Sequence, residues 1–258
     1  MSIRKPPTSL SVSNKLLLEM QDEVRVFFGW DVVEDLNSAK QLLSRVENSY
    51  VEKWERQNRL SAVSRLYRRL VIRHPLIAVI GAAVEPEEVL EALEGPLIFV
   101  SADGACGVFS ELPSTLSEKA WSRLSCIVSD ADGGDGTLES TSRSVPFVLH
   151  AHGDNTTNWR DMIDYAENIA DPPDLILTHQ TPGEIQGMHN PGGFTDGDRA
   201  VCFLVALGVN PKQIITIGNR TDLVGRWSGS TNVATKMEKL VWMRRFLATC
   251  GIRDSDIE

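Results

Sequence analysis

The sequence predicts an α/β protein: a Rossmann-like, doubly wound, mostly parallel sheet with an N-terminal helical cap. Three observations carry that prediction. From residue 74 onward, short apolar runs alternate with helical patterns, as in βαβ units. The runs, among them LIAVIG (76–81), LIFVSA (97–102) and LSCIVSD (124–130), are nearly continuous in apolar character, which marks strands buried on both faces. They also end in polar clusters, and the ligands of such sheets lie beyond the carboxyl ends of the strands.

Taken in order, residues 1–9 read as loosely attached, with Pro6, Pro7, Thr8 and Ser9 and little apolar content. Leu16, Leu17, Met20, Val24 and Phe27 then form one helical face, broken at Phe28-Gly29-Trp30. Leu42, Val46 and Trp54, followed by Val63, Leu66 and Leu70, continue the pattern. These faces predict two or three helices, giving an N-terminal helical region (1–73) ahead of a catalytic domain (74–258). Arg65, Arg68, Arg69 and Arg73 make a basic face, suited either to a nucleotide contact or to plain solvation. Helix must stop at His74-Pro75. After the first strand, Pro86 opens a helix over 85–94 that Gly95-Pro96 closes. A helix or loop over 112–121 separates the second and third strands. PFVLHAH (146–152) is the fourth strand, and a helix over 156–169 follows with Thr156 or Thr157 as its cap. DLILTH (174–179) is the fifth strand, and a glycine-rich loop runs from Thr181 to Gly197. Asp198, a good capping residue, opens a helix closed by Gly208. QIITIG (213–218) is the sixth strand, and a long helix spans about Thr231 to Cys250.

Composition narrows the function. At 258 residues and 42% hydrophobic, the chain can bury a real core. No apolar run approaches the roughly 18–20 residues of a membrane span, and no apolar stretch follows the early basic residues, so neither a membrane span nor a signal peptide is expected. A net charge of −9 argues against nucleic acid as a partner. The four cysteines form no CxxC pair and read as buried free thiols, which points to the cytoplasm. No Walker lysine motif, GxGxxG after the first strand, or GxSxG elbow is present.

Chemistry concentrates at the strand ends. Asp130-Ala131-Asp132 closes the third strand, and paired carboxylates of this kind hold Mg²⁺ together with substrate phosphates. Gly133 and Gly134 behind them allow close backbone approach to a phosphate. Asp103-Gly104 repeats the theme one strand earlier. His150, His152, Asp154 and Asn155 suit a polar heterocycle or a phosphate better than zinc, for want of a third strong ligand. Gly193-Phe194-Thr195-Asp196-Gly197-Asp198-Arg199 runs into a helix N-terminus, where amides attract anions and acids hold them through a cation. Each cluster also has a structural reading as a turn or a helix cap.

The motifs SADGA, VSDADG, HAHGDN and GGFTDGDRAV, in this order, resemble the archaeal 6-hydroxymethyl-7,8-dihydropterin diphosphokinase family, itself distantly similar to thiamine pyrophosphokinases. The resemblance covers about residues 75–245 and implies Mg²⁺-dependent transfer of diphosphate from ATP to the pterin hydroxymethyl group, leaving AMP. It implies that Asp130, Asp132 and Asp196 hold the metal, with Asp154 or Asp198 orienting a water or taking the hydroxyl proton. His150, His152, Asn155, Gly193 and Phe194 would face the pterin, and Asp103, Gly104, Gly133, Arg199 and Asn219 the nucleotide. Lys236 and Lys239 are further phosphate contacts under this reading. The chain departs from the family pattern after the first strand, which reads GAAVEP, and at Gly218-Asn219-Arg220-Thr221-Asp222. A metal-dependent nucleotide-sugar transferase and a non-catalytic nucleotide-binding protein are the alternatives these residues leave open. The helices carrying Trp30 and Trp54 are expected to form either a homodimer contact or a cap over the core.

Overall fold

The strands predicted from apolar runs form one six-stranded sheet in order β5-β4-β3-β2-β1-β6, with every neighbouring pair parallel. The computed structural model describes residues 5–229 and 232–252. Residues 1–4 of the expected loose N-terminus, and Thr231 at the expected start of the last helix, lie outside the described residues.

The strands are β1 (Ile77–Ile80), β2 (Ile98–Ala102), β3 (Leu124–Ser129), β4 (Phe147–Ala151), β5 (Leu175–His179) and β6 (Ile214–Ile217). From β1 to β5 the chain steps one way across the sheet, and helices α4 (Pro86–Glu94), α5 (Ser114–Arg123), α6 (Gly134–Ser142) and α7 (Thr156–Glu167) make the crossovers. It then returns to place β6 beside β1, through α8 (Asp196–Leu207). Right-handed crossovers put helices that step in opposite directions on opposite faces. The core shows this. Ala78, Ile80 and Phe99 pack with α4, α5 and α7, while Ile77, Val79 and Val100 pack with α8 and α9 (Val233–Thr249). Alternate residues of one strand thus serve separate cores, so the strands needed apolar residues throughout.

The N-terminal helices straddle the sheet. α1 (Leu16–Phe28) and α3 (Arg56–Tyr67) join the α8/α9 face, and α2 (Val32–Glu47) joins the α7 face. The chain is already tied down at Leu10, which is buried and whose amide donates to His189 Nδ1 at 3.2 Å. The arginine face belongs to α3 and the π-helical turn after it (68–72), at the amino edge of the sheet. Arg65 pairs there with Asp174 at 2.7 Å, just ahead of β5. All four cysteines are free and buried.

Three local readings need correction. The segment 134–142, GDGTLESTS, is a helix that the sequence hid, because its buried residues are Gly136, Thr137, Ser140 and Thr141 rather than an apolar stripe. Helix α8 begins at Asp196, not Asp198. Its cap is Thr195, and Asp198 is the third helical residue, which completes a capping box with it. Helix α7 is preceded by Asn155 as its cap residue rather than by Thr156 or Thr157.

Candidate active site

All six strand ends open on one cleft of about 320 Å³. Its centre is acidic. Asp103 follows β2, Asp130 and Asp132 follow β3, and Asp196 is the first residue of α8. One carboxylate oxygen each from Asp103, Asp130 and Asp196 lies within 4.8 Å of the other two. The backbone that places the acids is strained, and the surrounding structure must hold it. Asp103 has φ of 46° and Ala131, between Asp130 and Asp132, has φ of 73°, both in the left-handed region that non-glycine residues avoid. The loops carrying them interlock through Gly104 and Gly133. A Cβ on Gly104 would meet the Gly133 carbonyl oxygen at 1.9 Å, and one on Gly133 would meet the Gly104 amide nitrogen at 2.2 Å.

Hydrogen bonds then fix each carboxylate. Ser129 Oγ donates to Asp103 Oδ1 at 2.5 Å and accepts from the Ala131 amide at 2.8 Å. Asp130 Oδ2 faces His152 Nε2 at 3.0 Å and Arg199 Nη1 at 3.7 Å. Asp196 Oδ1 faces the same Arg199 nitrogen at 3.2 Å. Asp130 Oδ1 is buried with no hydrogen-bond partner. Such an orphaned atom asks for a ligand.

Charge crowding shifts the titrations. Burial, then the neighbouring carboxylates, pushes Asp103 and Asp196 up to about 7. Asp132, at the exposed rim, is also pushed upward, by desolvation and by Asp130 and Asp103. Burial works to raise Asp130 too, but the hydrogen bond and charge of His152, with Arg199, hold it well below the usual carboxylate range. Burial works against the His152 charge, yet its hydrogen bonds to Asp130 and Asp154 outweigh this and raise it to about 9. Three carboxylates at short range, oxygen donors only and one unpartnered oxygen suit a hard divalent cation.

No family model matches the chain. It is similar to a protein of Pyrococcus furiosus named 6-hydroxymethyl-7,8-dihydropterin pyrophosphokinase, with 32% identity over 182 residues, 66% of this chain and 70% of the relative. Proteins of the same name from Methanothermobacter thermautotrophicus (36% over 142 residues, 53% of each chain) and Methanocaldococcus jannaschii (29% over 205 residues, 74% of this chain and 73% of the relative) also match. The chain belongs to the 6-hydroxymethyl-7,8-dihydropterin pyrophosphokinase family.

As a member of that pyrophosphokinase family, the protein is an enzyme of the diphosphate-transferring class. Its cleft gathers Asp103, Asp130, Asp132, His152, Asp154, Phe194, Asp196, Arg199 and Asn219 from the sequence-based set, together with Lys236 and Lys239. Asp103, expected at the nucleotide, is one corner of the carboxylate triangle, and Asp132, expected as a ligand, stands beside Asp103 and Asp130.

The remaining candidates do not line the cleft. His150 is buried, with Nδ1 3.0 Å from Thr178 Oγ1, and burial keeps its pKa well below the usual histidine value. Asn155 ties two strand ends together, donating to the carbonyls of Asp130 (2.9 Å) and His150 (2.7 Å). Asp198 is fully buried and accepts from the Thr195 amide and hydroxyl, so its carboxylate is occupied. Gly104 and Gly133 spend their freedom on each other. Gly193, at φ of 92°, lets Arg199 pack close, since a Cβ there would lie 2.6 Å from the Arg199 Cα.

Sequence reasoning missed Gln180, Trp30 and Trp227, which also line the cleft. Gln180 was findable, because it follows β5 as the acids follow β2 and β3. Trp30 carried no signal, for it reaches the site from the N-terminal helices, and Trp227 lies in the irregular loop after β6 with no strand end or acid beside it to mark it.

Proposed function

We propose that this chain transfers a diphosphate from ATP to the hydroxymethyl oxygen of 6-hydroxymethyl-7,8-dihydropterin, releasing AMP, with Mg²⁺ held by Asp103, Asp130 and Asp196. The observation that carries the reading is the carboxylate triangle, with the unpartnered Asp130 oxygen, at the carboxyl edge of a parallel sheet. The names of the relatives supply the substrate class. In this reaction the acceptor oxygen attacks the β-phosphorus, the bond from that phosphorus to the α–β bridging oxygen breaks, and the electron pair leaves on AMP. Bound at the triangle, a divalent cation would neutralise charge on the phosphates and hold them in line.

The residues of the chain do the rest. Arg199, pinned between Asp130 and Asp196, sets the spacing of two ligands and offers positive charge to the phosphates. Lys236 and Lys239 add cationic charge from α9. His152 bridges Asp130 and Asp154, with its Nδ1 2.6 Å from Asp154 Oδ1. Asp154, exposed at the cleft, is the carboxylate we assign to receive the acceptor proton. Its hydrogen bond to His152 holds it down at about 2, a weak base that suits a loose transition state needing little proton abstraction.

The test is to incubate the protein with ATP and the reduced pterin alcohol and to follow AMP. AMP and the pterin diphosphate form in equal amounts with Mg²⁺ and stop when EDTA is added. Absence of AMP with Mg²⁺ present, or formation of ADP in its place, sinks the reading.

A further inference from the structure

The role of the N-terminal helices is legible at one residue, Trp30, at the junction of α1 and α2. Trp30 lines the cleft and is 36% exposed, a large aromatic left open beside an acidic centre. Its position is built rather than incidental. The Trp30 amide donates to the Arg25 carbonyl at 2.9 Å. The Arg25 guanidinium donates to the Gln180 carbonyl at 2.8 Å, fastening α1 to the end of β5. Asp35, in the first turn of α2, accepts from the Gly153 amide at 2.8 Å and from Gln180 Nε2 at 2.9 Å, fastening α2 to the ends of β4 and β5. The indole stacks on Phe28 with centroids 4.9 Å apart and planes at 18°, and leans on Phe194 at 5.8 Å. The Lys239 ammonium sits 5.2 Å from its ring centroid.

Sheet order assigns this wall to one substrate. The carboxylate triangle fixes the phosphates near the ends of β2 and β3. On one flank lie the ends of β1 and β6, where the chain reverses its direction across the sheet. Nucleotides in doubly wound sheets sit at such a switch point. That leaves the β4–β5 flank, with Trp30, Phe194 and Gln180, for the acceptor. A flat heterocycle with little charge gains most from an indole face, and stacking of a base on an aromatic side chain is lost when that side chain becomes alanine. We infer that Trp30 is a specificity residue of the acceptor subsite, against which the ring of the pterin alcohol stacks once the flexible Lys239 side chain swings off the indole, and that the N-terminal helices serve to hold it there.

The inference rests on the proposed function for the identity of the acceptor, and its test separates the two. Direct calorimetric binding of the reduced pterin alcohol, without ATP, is expected to weaken roughly five- to a hundredfold in Trp30→Ala. Trp30→Phe, which keeps an aromatic face, retains most of the affinity. In steady-state assays the same alanine variant raises KM for the pterin and leaves KM for ATP as it was. If the wild type binds the pterin alcohol and Trp30→Ala binds it equally well, or if KM for ATP rises instead, the assignment is overturned. Weakened pterin binding in the variant, in a protein that makes no AMP, would keep the subsite and sink the transfer reaction.

Discussion

The two edges of the sheet carry opposite charges under opposite constraints. At the carboxyl edge Asp103, Asp130, Asp132 and Asp196 crowd together at the ends of short, strained loops. At the amino edge Arg65, Arg68, Arg69 and Arg73 gather beside Pro75 and Ile98, which lie at the starts of β1 and β2. The arginines are relaxed. Arg65 is half exposed beside Asp174, and Arg69 donates to the Ser122 carbonyl at 3.2 Å. Long side chains let Arg65, Arg68 and Arg73 reach into water, and only Arg69 is partly desolvated, whereas a short aspartate on a left-handed backbone has nowhere to go. Charge density alone therefore does not mark a site. What marks it is charge that the backbone keeps from dispersing.

The largest expected effect of breaking this contrast lies at Asp130. Loss of groups that merely orient a metal ligand costs 10–100-fold, so Asp130→Asn should cost at least about a hundredfold in kcat/KM. An assay of AMP release that finds near-normal turnover would contradict the ligand role. Next comes Gly104→Ala. The added methyl has no room against the Gly133 carbonyl, and overpacking of this kind costs about 1–3 kcal/mol. The midpoint of urea unfolding reads this, and an unchanged midpoint would show that the two loops yield freely.

A third prediction concerns pH. Asp103 and Asp196 are raised to about 7, above the ordinary carboxylate value near 4. Without a cation they favour the folded state fully below about pH 4, and that contribution is lost as pH rises through 7. A Mg²⁺ ion bound at the triangle would replace the protons, so its thermal stabilisation should be larger at pH 8 than at pH 5. Melting curves with and without Mg²⁺ test this, and an equal shift at both values argues against the triangle as its binding place. The smallest effect belongs to the other edge. Arg68 and Arg73 are both exposed, so Arg68→Ala and Arg73→Ala should change stability by no more than about 0.5 kcal/mol and leave turnover alone. A large loss of activity would show that the two edges are coupled.

The strands were legible because burial on both faces demands short apolar runs, which break at turn residues sooner than the longer apolar run 200–207 of α8 does. Asp103, Asp130 and Asp132 were legible because they stand directly after those runs, and Asp196 because it opens a helix behind a glycine-rich loop. The grouping was legible in part: the resemblance joined Asp130 to Asp196, whereas the convergence of Asp103 with them shows only in the folded chain, because Asp196 reaches the site from the start of α8. Helix α6 was hidden because it packs glycine and hydroxyl side chains against the segment 103–111, not an apolar face. Asp198 looked like a cleft acid because a capping residue and a ligand share the same chemistry. Trp30 escaped because its position depends on Arg25, Asp35 and Gln180, contacts that span much of the chain.

The interlocked glycines have a consequence for how the site is filled. Gly136 joins the contact, since a Cβ on it would meet the Gly104 carbonyl oxygen at 2.2 Å. Backbone so tightly meshed fixes two of the three carboxylates before anything binds. A cation arriving there orders little chain, so little of its attraction is lost to conformational entropy. Loosening that mesh would weaken cation binding even though none of the glycine positions contributes a ligand atom.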